Sequence, residues 1–335
     1  MNFIINLVTL GIIALVTSLV ITKLLIYAMP KFGIVDVPSQ RRSHNKITPR
    51  GGGLAFVLIY SILLPAFEYF RIGSIEDSII ILQIFIPISV VSFWDDTSHV
   101  IIPIRLLVHF LCSCLAIMWL IHPNSILHYY DIPIYLDLVI GTLALLTFLN
   151  IYNFMDGIDG ITVSQSLHYS LTILLLCFIR YDIIPNVDMV IVTAVIIGGW
   201  SLGFICFNWQ PARIFLGDVG SISLGFLIGI CLLTIASASV KLFAACVIAS
   251  LYYIADGGIT ILIRAVKGEK IWEPHLQHFF QKSVSKGRSH KRTVKRIMKC
   301  NFLLMLLAVH SLYYPVISII AAILVVMITV IRSVI

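Results

Sequence analysis

The sequence has little charge: Asp, Glu, Lys and Arg together make up 12% of its 335 residues. Soluble domains carry about 25% charged residues, so this composition excludes an ordinary soluble protein. The mean hydropathy of +1.02 and the 59% share of apolar residues indicate a polytopic, all-α integral membrane protein.

Several other features are missing. The seven cysteines show no C-x-x-C spacing, which argues against a zinc site or a disulfide framework. No aromatic residues are interleaved with the basic ones to stack on bases, so we expect no nucleic-acid partner. The sequence shows no internal repeat and no low-complexity linker. It therefore predicts a single membrane domain over 1–335, with one basic cytoplasmic arm at about 265–296.

Eleven apolar runs have the length, about 20 residues, that a helix needs to cross a hydrocarbon core. The first run is too long for a signal peptide, and we expect it to be retained as a span. Only Tyr314 and Pro315 separate the last two runs, so ten spans are an alternative in which this junction is a kink. The approximate limits are 3–29, 52–70, 78–94, 103–122, 133–150, 162–180, 188–206, 221–239, 242–264, 297–313 and 315–333.

The basic residues predict the orientation in the membrane. With eleven spans, three of the 23 Lys and Arg residues (Arg71, Arg180 and Lys241) fall on one side and all the others on the opposite side. Cytoplasmic loops carry the excess of Lys and Arg in membrane proteins. We therefore expect the N-terminus outside and the loop around Asp156 inside.

The stretch from Asn150 to Gly160 places two amides and two carboxylates between two predicted spans. Acidic residues beside a bilayer are costly, which indicates a function. Asp156 and Asp159 are spaced i, i+3, and Asn153 precedes them by one more turn, so a continuing helix would present all three on one face. Mg²⁺ prefers such oxygen donors and is completed by waters and substrate phosphates. A simple turn would explain the residue types but not this spacing.

A second acidic position is the pair Asp95 and Asp96, at the predicted inner end of the third span. Adjacent residues do not share a helical face, so the two carboxylates should diverge unless the helix ends there. A helix-end turn and a cation site both fit the pair. The recurrence of acids on the same side of the membrane favours the cation site.

A third acidic position, Asp218, lies between Gly217 and Gly220, before another apolar run. We expect a helix to start here, with Ser221 as a candidate N-cap. Its free N–H groups would then point at a phosphate, beside a metal ion bound by Asp218. An ordinary capped turn would leave Asp218 and the nearby Arg213 unexplained.

Two predicted cytoplasmic loops supply candidates for phosphate contacts. The first loop has four basic side chains and then three glycines, Gly51–Gly53, which indicate that the backbone approaches something closely. Topology alone would also explain this charge. The arm has His275 and His278, which suit phosphate contacts better than zinc because no Cys or Asp is near; a surface histidine pair is the simpler alternative.

Several carboxylates for Mg²⁺, glycine-lined helix starts and basic groups for phosphates are together typical of phosphoryl transfer. In that reaction positioning and charge neutralisation do most of the work. The membrane setting suggests that one reactant is a lipid.

The joint order of these motifs resembles the polyprenyl-phosphate N-acetylhexosamine-1-phosphate transferases, glycosyl transferase family 4, over nearly the whole chain. The matching segments are Arg42–His44 with Thr48–Gly53, Asp95–Asp96, Asn150–Gly160, Pro211–Ser221, Asp256 before Arg264, and Pro274–His278.

The resemblance implies Mg²⁺-dependent transfer of a sugar 1-phosphate from a UDP-linked N-acetylhexosamine to undecaprenyl phosphate, with release of UMP. Mn²⁺ is an alternative metal, membrane lipids are further partners, and a homodimer is left open. The implied place is the cytoplasmic face of a bacterial inner membrane. The implied catalytic residues are Asp95, Asp96, Asp156, Asp159 and His278; the implied metal ligands are Asp218, Asp95 and Asn153; the implied substrate contacts are Arg42, His44, Lys46, Arg50, Asn150, Asn153, Arg213, Arg264 and His275.

The arm departs from the family pattern because it lacks the consecutive histidines of the peptidoglycan-precursor branch. Residues 268–275 are more similar to the O-antigen branch of lipopolysaccharide synthesis. The implied donor is therefore UDP-GlcNAc or a 6-deoxy analogue such as UDP-FucNAc or UDP-QuiNAc.

Two other classes of protein fit less well. A secondary transporter of an anionic or lipid-linked solute would place its charges near the membrane midplane, between related halves. Here the acids lie at one interface and no such halves are evident. A CDP-alcohol phosphatidyltransferase would need a denser Asp/Gly/Arg motif than this sequence contains.

Overall fold

The structure, a computed structural model, describes residues 2–37, 46–72, 75–98, 100–121, 133–270 and 275–335. Two predicted substrate contacts, Arg42 and His44, lie outside the described residues. The described chain is almost entirely helical, with one small β-hairpin. The elements are α1 (Asn2–Ala28), β1 (Val35–Asp36), β2 (Thr48–Pro49), α2 (Gly53–Ile72), α3 (Glu76–Ser98), α4 (Ile102–Ala116), α5 (Ile134–Phe154), α6 (Ile161–Ile179), α7 (Val187–Asn208), α8 (Asp218–Ala236), α9 (Val240–Val266), α10 (Phe279–Ser285), α11 (His290–His310) and α12 (Pro315–Val334).

Within the described residues, ten helices are long and apolar enough to cross a membrane. They are α1 to α9 and α12, and they confirm a multi-pass, all-α membrane protein. The remaining long helix, α11, begins at His290 with a basic first half, seven residues earlier than the predicted span. It packs along α12, and its charged start shortens the arm that the sequence predicts.

The two helices at the end of the chain run antiparallel. At one end, Nδ1 of His310 lies 2.9 Å from the Ser318 hydroxyl. At the other end, Arg296 donates to the carbonyl of Arg332 at 2.6 Å. Helix α11 therefore packs antiparallel along α12, and the Tyr314–Pro315 junction is a turn between two helices and not a kink.

Helix α8 lies at the centre of the molecule. Its residues are apolar on all sides, as expected for a helix that is surrounded by others, and nearly all of them are buried. It packs mainly against α3 and α5. This packing brings the start of α8 to the ends of α3 and α5, beside the start of α4.

The glycines before α2 allow the closest approach in this region. A Cβ atom on Gly53 would lie 2.1 Å from the Cα of Gly220 on α8, so a side chain has no room there. The N–H groups of Gly52 and Gly53 donate to the carbonyls of Phe215 and Leu216 at 2.9 and 2.8 Å. The predicted close approach is confirmed, and its partner is the segment that leads into α8. It fixes Arg50, just after β2, beside the start of that helix.

Candidate active site

Three carboxylates and two guanidinium groups meet where these helix ends converge. Arg50 contacts Asp96 at 2.8 Å and Asp218 at 2.7 Å through the same nitrogen. Arg105, from the start of α4, pairs with Asp95 and lies 3.5 Å from the other oxygen of Asp218. Burial lowers the pKa of Arg50, but the carboxylates of Asp218 and Asp96 outweigh it and hold the pKa above its ordinary value.

Asp96 is the cap of α8. Its two carboxylate oxygens accept from the N–H groups of Asp218 and Val219 at 2.8 and 3.0 Å, where the helix dipole favours a negative charge. The prediction of Ser221 as N-cap was therefore wrong: α8 starts three residues earlier, and the hydroxyl of Ser221 donates to the carbonyl of Gly217. Of the N–H groups predicted to face a phosphate, those of Asp218 and Val219 are taken by Asp96.

Gly217 makes this cap sterically feasible. It has φ +77°, and a Cβ atom there would lie 2.5 Å from a carboxylate oxygen of Asp96. A left-handed backbone is costly for residues other than glycine. A side chain at this position would therefore displace the carboxylate of Asp96 from the start of α8.

Asp95 points in a different direction from Asp96, as the helical spacing predicts. The helix α3 continues to Ser98, so the neighbouring side chains leave it on different faces. Asp95 accepts from the N–H of Val100 at 2.8 Å and lines a cavity together with Asp218 and Asn153. Of the acidic pair, Asp95 is the one that a ligand in this cavity would touch.

The stretch from Asn150 to Gly160 does not form one helical face. The helix α5 ends at Phe154, so the predicted stacking of Asn153, Asp156 and Asp159 was wrong. Gly160 takes φ +78° against the ring of Trp209, and the chain turns between the two helices. The three side chains consequently face different partners.

Two of the three belong to the acidic cluster. The amide oxygen of Asn153 accepts from the hydroxyl of Ser221 on α8 at 2.6 Å. Asp156 accepts from the hydroxyl of Thr162 at 2.6 Å. Burial raises the pKa of Asp156 to about 6, and the nearby negative charge of Asp218 adds to this effect, while the Thr162 hydrogen bond opposes it. Asp156 is thus poised to change its charge near neutral pH.

Asp159 lies on the other side of this turn. Its carboxylate accepts from the N–H of Ala212 at 3.1 Å and lies 3.4 Å from Nδ1 of His290, at the start of α11. It therefore joins the loop before α8 to the arm. The structure does not bring it together with Asp95 and Asp218.

The two histidines of the arm precede α10 and do not form a helical pair. His278 is the residue before this helix, and its ring stacks on that of His275 with centroids 4.7 Å apart. Burial, His278 and Arg264 lower the pKa of His275 to about 4, so its imidazole is neutral at physiological pH. The ring of Phe280, just beyond, lies against Gly157, which seats the arm on the loop that holds Asp156.

Asp256, a buried acid of α9, holds this histidine segment in place. One oxygen accepts from the N–H of Phe279 at 2.9 Å and lies 3.2 Å from Nδ1 of His278. The other oxygen accepts from the N–H of Phe280 at 3.1 Å. Asp256 thus accepts from the first N–H groups of α10, as Asp96 accepts from the first N–H groups of α8.

The other predicted contacts lie further from the carboxylates. Arg264 donates to Glu269 at 2.9 Å and to the carbonyl of Lys270 at 2.7 Å, which shapes the turn from α9 into the arm. Arg213 is exposed and lies over the ring of Phe207. Lys46 is exposed and precedes β2, and Asn150 lines the same cavity as Asp95.

The donor set has the chemistry that Mg²⁺ prefers. Asp95 and Asp218 line one cavity and both contact Arg105, and carboxylates held this near each other favour a neighbouring cation. In the described part of the chain, no three His, Cys, Asp or Glu side chains converge as a complete metal site. Waters and phosphate oxygens would have to complete the coordination, and Mg²⁺ remains a prediction.

Sequence reasoning missed three residues that shape this site. Arg105 was counted only as a topology signal, Asp256 carried no role of its own, and Thr162 was not noticed. A basic residue ten positions after an acidic pair is a usable signal, because both then lie near one turn between two spans. The contacts of Asp256 and Thr162 depend on tertiary packing.

The chain is similar to known proteins in the segment that contains these carboxylates. The sequence model of glycosyl transferase family 4 matches residues 78–238, from α3 to just beyond α8, and so includes Asp95, Asp96, Asp156 and Asp218. The chain is 27% identical to the probable undecaprenyl-phosphate N-acetylglucosaminyl 1-phosphate transferase of Bacillus subtilis. The alignment covers 91% of this chain and 85% of that relative.

Two further relatives are phospho-N-acetylmuramoyl-pentapeptide-transferases. That of Borrelia hermsii is 26% identical over 60% of this chain and 65% of its own length. That of Streptococcus pneumoniae is 31% identical over 53% of this chain and 56% of its own length. The segment that matches glycosyl transferase family 4 covers just under half of the chain and contains the acidic positions of the site, so the chain is similar to this family where the site lies.

Proposed function

We propose that this protein transfers an N-acetylhexosamine 1-phosphate from a UDP-linked sugar to undecaprenyl phosphate and releases UMP. The observation that carries the proposal is the cluster of Asp95, Asp96 and Asp218 with Arg50 and Arg105, at the end of the molecule to which the basic arm belongs. The names of the relatives, which describe transferases of sugar phosphates, support the same reaction.

In the proposed reaction, an oxygen of the lipid phosphate forms a bond to the β-phosphorus of the UDP-sugar. The bond from this phosphorus to the oxygen that bridges to UMP breaks, and UMP keeps the electron pair. A phosphate monoester has a second pKa of about 6, so most of the acceptor needs no base at pH 7. Asp95, which faces the cavity, accepts the proton from the remainder.

The residues of the chain have distinct tasks in this mechanism. Arg105 binds and orients the acceptor phosphate beside Asp95, and Arg50 holds Asp218 in position through its contact at 2.7 Å. His278, held by Asp256, donates a hydrogen bond to the donor's diphosphate. Asp218, Asp95 and the amide oxygen of Asn153 would hold Mg²⁺, which when bound neutralises the charge of the diphosphate.

The donor is proposed to be UDP-GlcNAc or a 6-deoxy analogue, as the arm's similarity to the O-antigen branch implies. The same proposal places the site on the cytoplasmic face of a bacterial inner membrane. The excess of basic residues at this end of the helices supports that orientation.

The test is a transfer assay on the purified full-length protein in lipid nanodiscs. Undecaprenyl phosphate is offered with a panel of UDP-N-acetylhexosamines, and UMP and the lipid diphosphate are measured by mass spectrometry. We expect product with one donor of the panel, dependence on Mg²⁺, and loss of product with EDTA.

Asp218→Asn should lower the rate by about a hundredfold or more, since charge-stabilising groups of active sites carry effects of that order. Asp182→Asn, the same change in an exposed turn at the far end of the molecule, is the matched control. Absence of UMP with every donor would overturn the proposal. Full activity of Asp218→Asn at saturating Mg²⁺ would overturn the ligand assignment.

A further inference from the structure

A cavity of about 60 Å³ lies on the membrane side of the acidic cluster, between α3, α4, α5 and α8. Each of these four helices contributes two residues to the lining. One belongs to the cluster, and the other lies one turn deeper in the membrane. One turn is a step of about 5.4 Å along a helix. The four pairs are Asp95 and Ser92, Arg105 and His109, Asn153 and Asn150, and Asp218 and Ile222.

His109 is the unusual member of this lining. Its side chain is buried, with 3% of the residue exposed. Among the described residues, neither ring nitrogen has a hydrogen-bond partner of normal geometry, although the amide of Asn150 lies beside the ring. Buried polar groups are nearly always hydrogen-bonded, so an unpartnered imidazole in a cavity indicates a missing ligand.

The cavity reaches the lipid-facing surface of the helix bundle. Two of its lining residues, Leu106 on α4 and Phe154 at the end of α5, are 43% and 37% exposed. The outer face of α4 continues with Leu107 and Phe110, which are also exposed. A ligand can therefore enter sideways between α4 and α5 with its apolar part in the bilayer.

The charges around the cavity select the chemistry of that ligand. Arg105, one turn above His109, favours an anion beside the imidazole and disfavours a charged imidazole. A neutral imidazole carries one N–H donor, which suits an oxygen of a phosphate. The carboxylates of Asp95 and Asp218 also line the cavity and oppose a free anion, so a phosphate needs a lipid anchor to remain there.

We infer that His109 binds the phosphate monoester of the acceptor lipid, by donating a hydrogen bond from its imidazole to a phosphate oxygen. The inference rests on the proposed function and adds to it a specific contact and a lateral entry path between α4 and α5. His109 thereby distinguishes a polyprenyl phosphate from the uncharged alcohol of the same chain.

The first test measures binding, without catalysis, to the full-length protein in nanodiscs. The probes are undecaprenyl phosphate, undecaprenol and inorganic phosphate. We expect the wild-type protein to prefer the lipid phosphate over the alcohol by about tenfold or more, as expected for one hydrogen bond to a charged group. Inorganic phosphate should compete weakly. Strong competition by inorganic phosphate would overturn the requirement for a lipid anchor.

The variants assign this preference to the imidazole. His109→Phe keeps the ring volume without a donor and should lower the preference about tenfold while binding undecaprenol as before, since Arg105 still contacts the phosphate. His109→Gln keeps an N–H donor and should restore part of it. Ser113→Ala is the matched control, because Ser113 is a buried, unpartnered polar residue one turn further along α4 that does not line the cavity.

The second test is kinetic and separates this inference from the proposed function. In His109→Phe the KM for undecaprenyl phosphate should rise about tenfold, with the KM for the UDP-sugar unchanged. Normal transfer with an unchanged lipid KM would overturn the inference alone. Selective binding of the lipid phosphate through His109, without UMP release from any donor, would overturn the proposed function and support the subsite. If His109→Phe does not fold, the preference of His109→Gln decides.

Discussion

The charge of the Asp156 carboxyl group depends on pH. Burial raises its pKa to about 6, and the hydrogen bond from Thr162 opposes this rise. A carboxyl group with a raised pKa is neutral below that value and ionised above it. If the ionised form is needed, activity falls as the pH drops through about 6.

Thr162→Val removes the hydroxyl that stabilises the ionised form of Asp156. The pKa of Asp156 should then rise, and the acidic limb of the pH–rate profile should move up by about one to two pH units, since a hydrogen bond to a charged group is worth about 1.5–3 kcal/mol. The measurement is kcat against pH, with saturating substrates.

The acceptor phosphate also titrates near pH 6, so the wild-type profile alone does not identify Asp156. The variant does, because it leaves the pKa of the substrate unchanged. Thr162→Ser keeps the hydroxyl and should keep the wild-type profile. An unshifted profile in Thr162→Val would mean that Asp156 does not control this limb.

Asp95 and Asp96 should respond differently to the same substitution. Asp96→Asn replaces one of the two oxygens that cap α8 by an amide nitrogen, which cannot accept from an N–H group. Loss of an N-cap costs about 1 kcal/mol, so the melting temperature should fall by a few degrees. Asp95→Asn keeps an acceptor for Val100, and Arg105 retains Asp218 at 3.5 Å, so the protein should remain stable but lose activity.

The measurement is thermal unfolding in detergent together with the transfer rate of each variant. Equal loss of stability in both variants would contradict the division into a cap and a cavity-facing acid. If Asp96→Asn is stable but inactive and Asp95→Asn is fully active, Asp96 and not Asp95 is the acid that activity requires.

At the scale of the elements, α10 depends on a carboxylate from the membrane helix α9. Asp256→Asn weakens the acceptor for Phe279, Phe280 and His278. A charged hydrogen bond is worth about 1.5–3 kcal/mol, which corresponds to a fall in kcat of roughly ten- to a hundredfold. The arm should also become easier to cleave with trypsin after Lys282 and Lys286.

Tyr252→Phe is the control for this variant, because Tyr252 also donates to Asp256, at 3.2 Å, but does not touch His278. Its kcat should stay within a few-fold of the wild-type value. An equal loss in both variants would show that packing around Asp256, and not the position of His278, sets the rate.

The ends of the elements are where prediction from the sequence stops. Apolar runs predict the existence of each span, because length and hydropathy are local properties. The end of α5 at Phe154 and the start of α8 at Asp218 depend on partners that are distant in the chain: Asp96 caps a helix that begins 122 residues later. The sequence therefore indicated which acids share the site but misplaced Asp159 and Ser221.

At the scale of the whole molecule, the position of α11 decides the topology. Its first half carries so many basic residues that, by composition, it does not qualify as a membrane span. Arg296 in this half donates to the carbonyl of Arg332 at the end of α12 at 2.6 Å, and Arg288, just before α11, donates to the carbonyl of Ser333 at 3.2 Å. Basic side chains at a helix C-terminus are favourable, so these charges are compatible with a helix that crosses beside α12.

Eleven crossings place the turn between α11 and α12 on the side opposite the active site, and ten crossings with α11 at the interface place it on the same side. Tyr313 in this turn is 68% exposed, so Tyr313→Cys should react with a membrane-impermeant maleimide in intact cells. Ser285→Cys, exposed at the end of α10, should react only after the membrane is permeabilised. The wild-type protein gives the background from its own cysteines. Labelling of both variants only after permeabilisation would exclude the crossing of α11 and support ten crossings, with α11 at the interface.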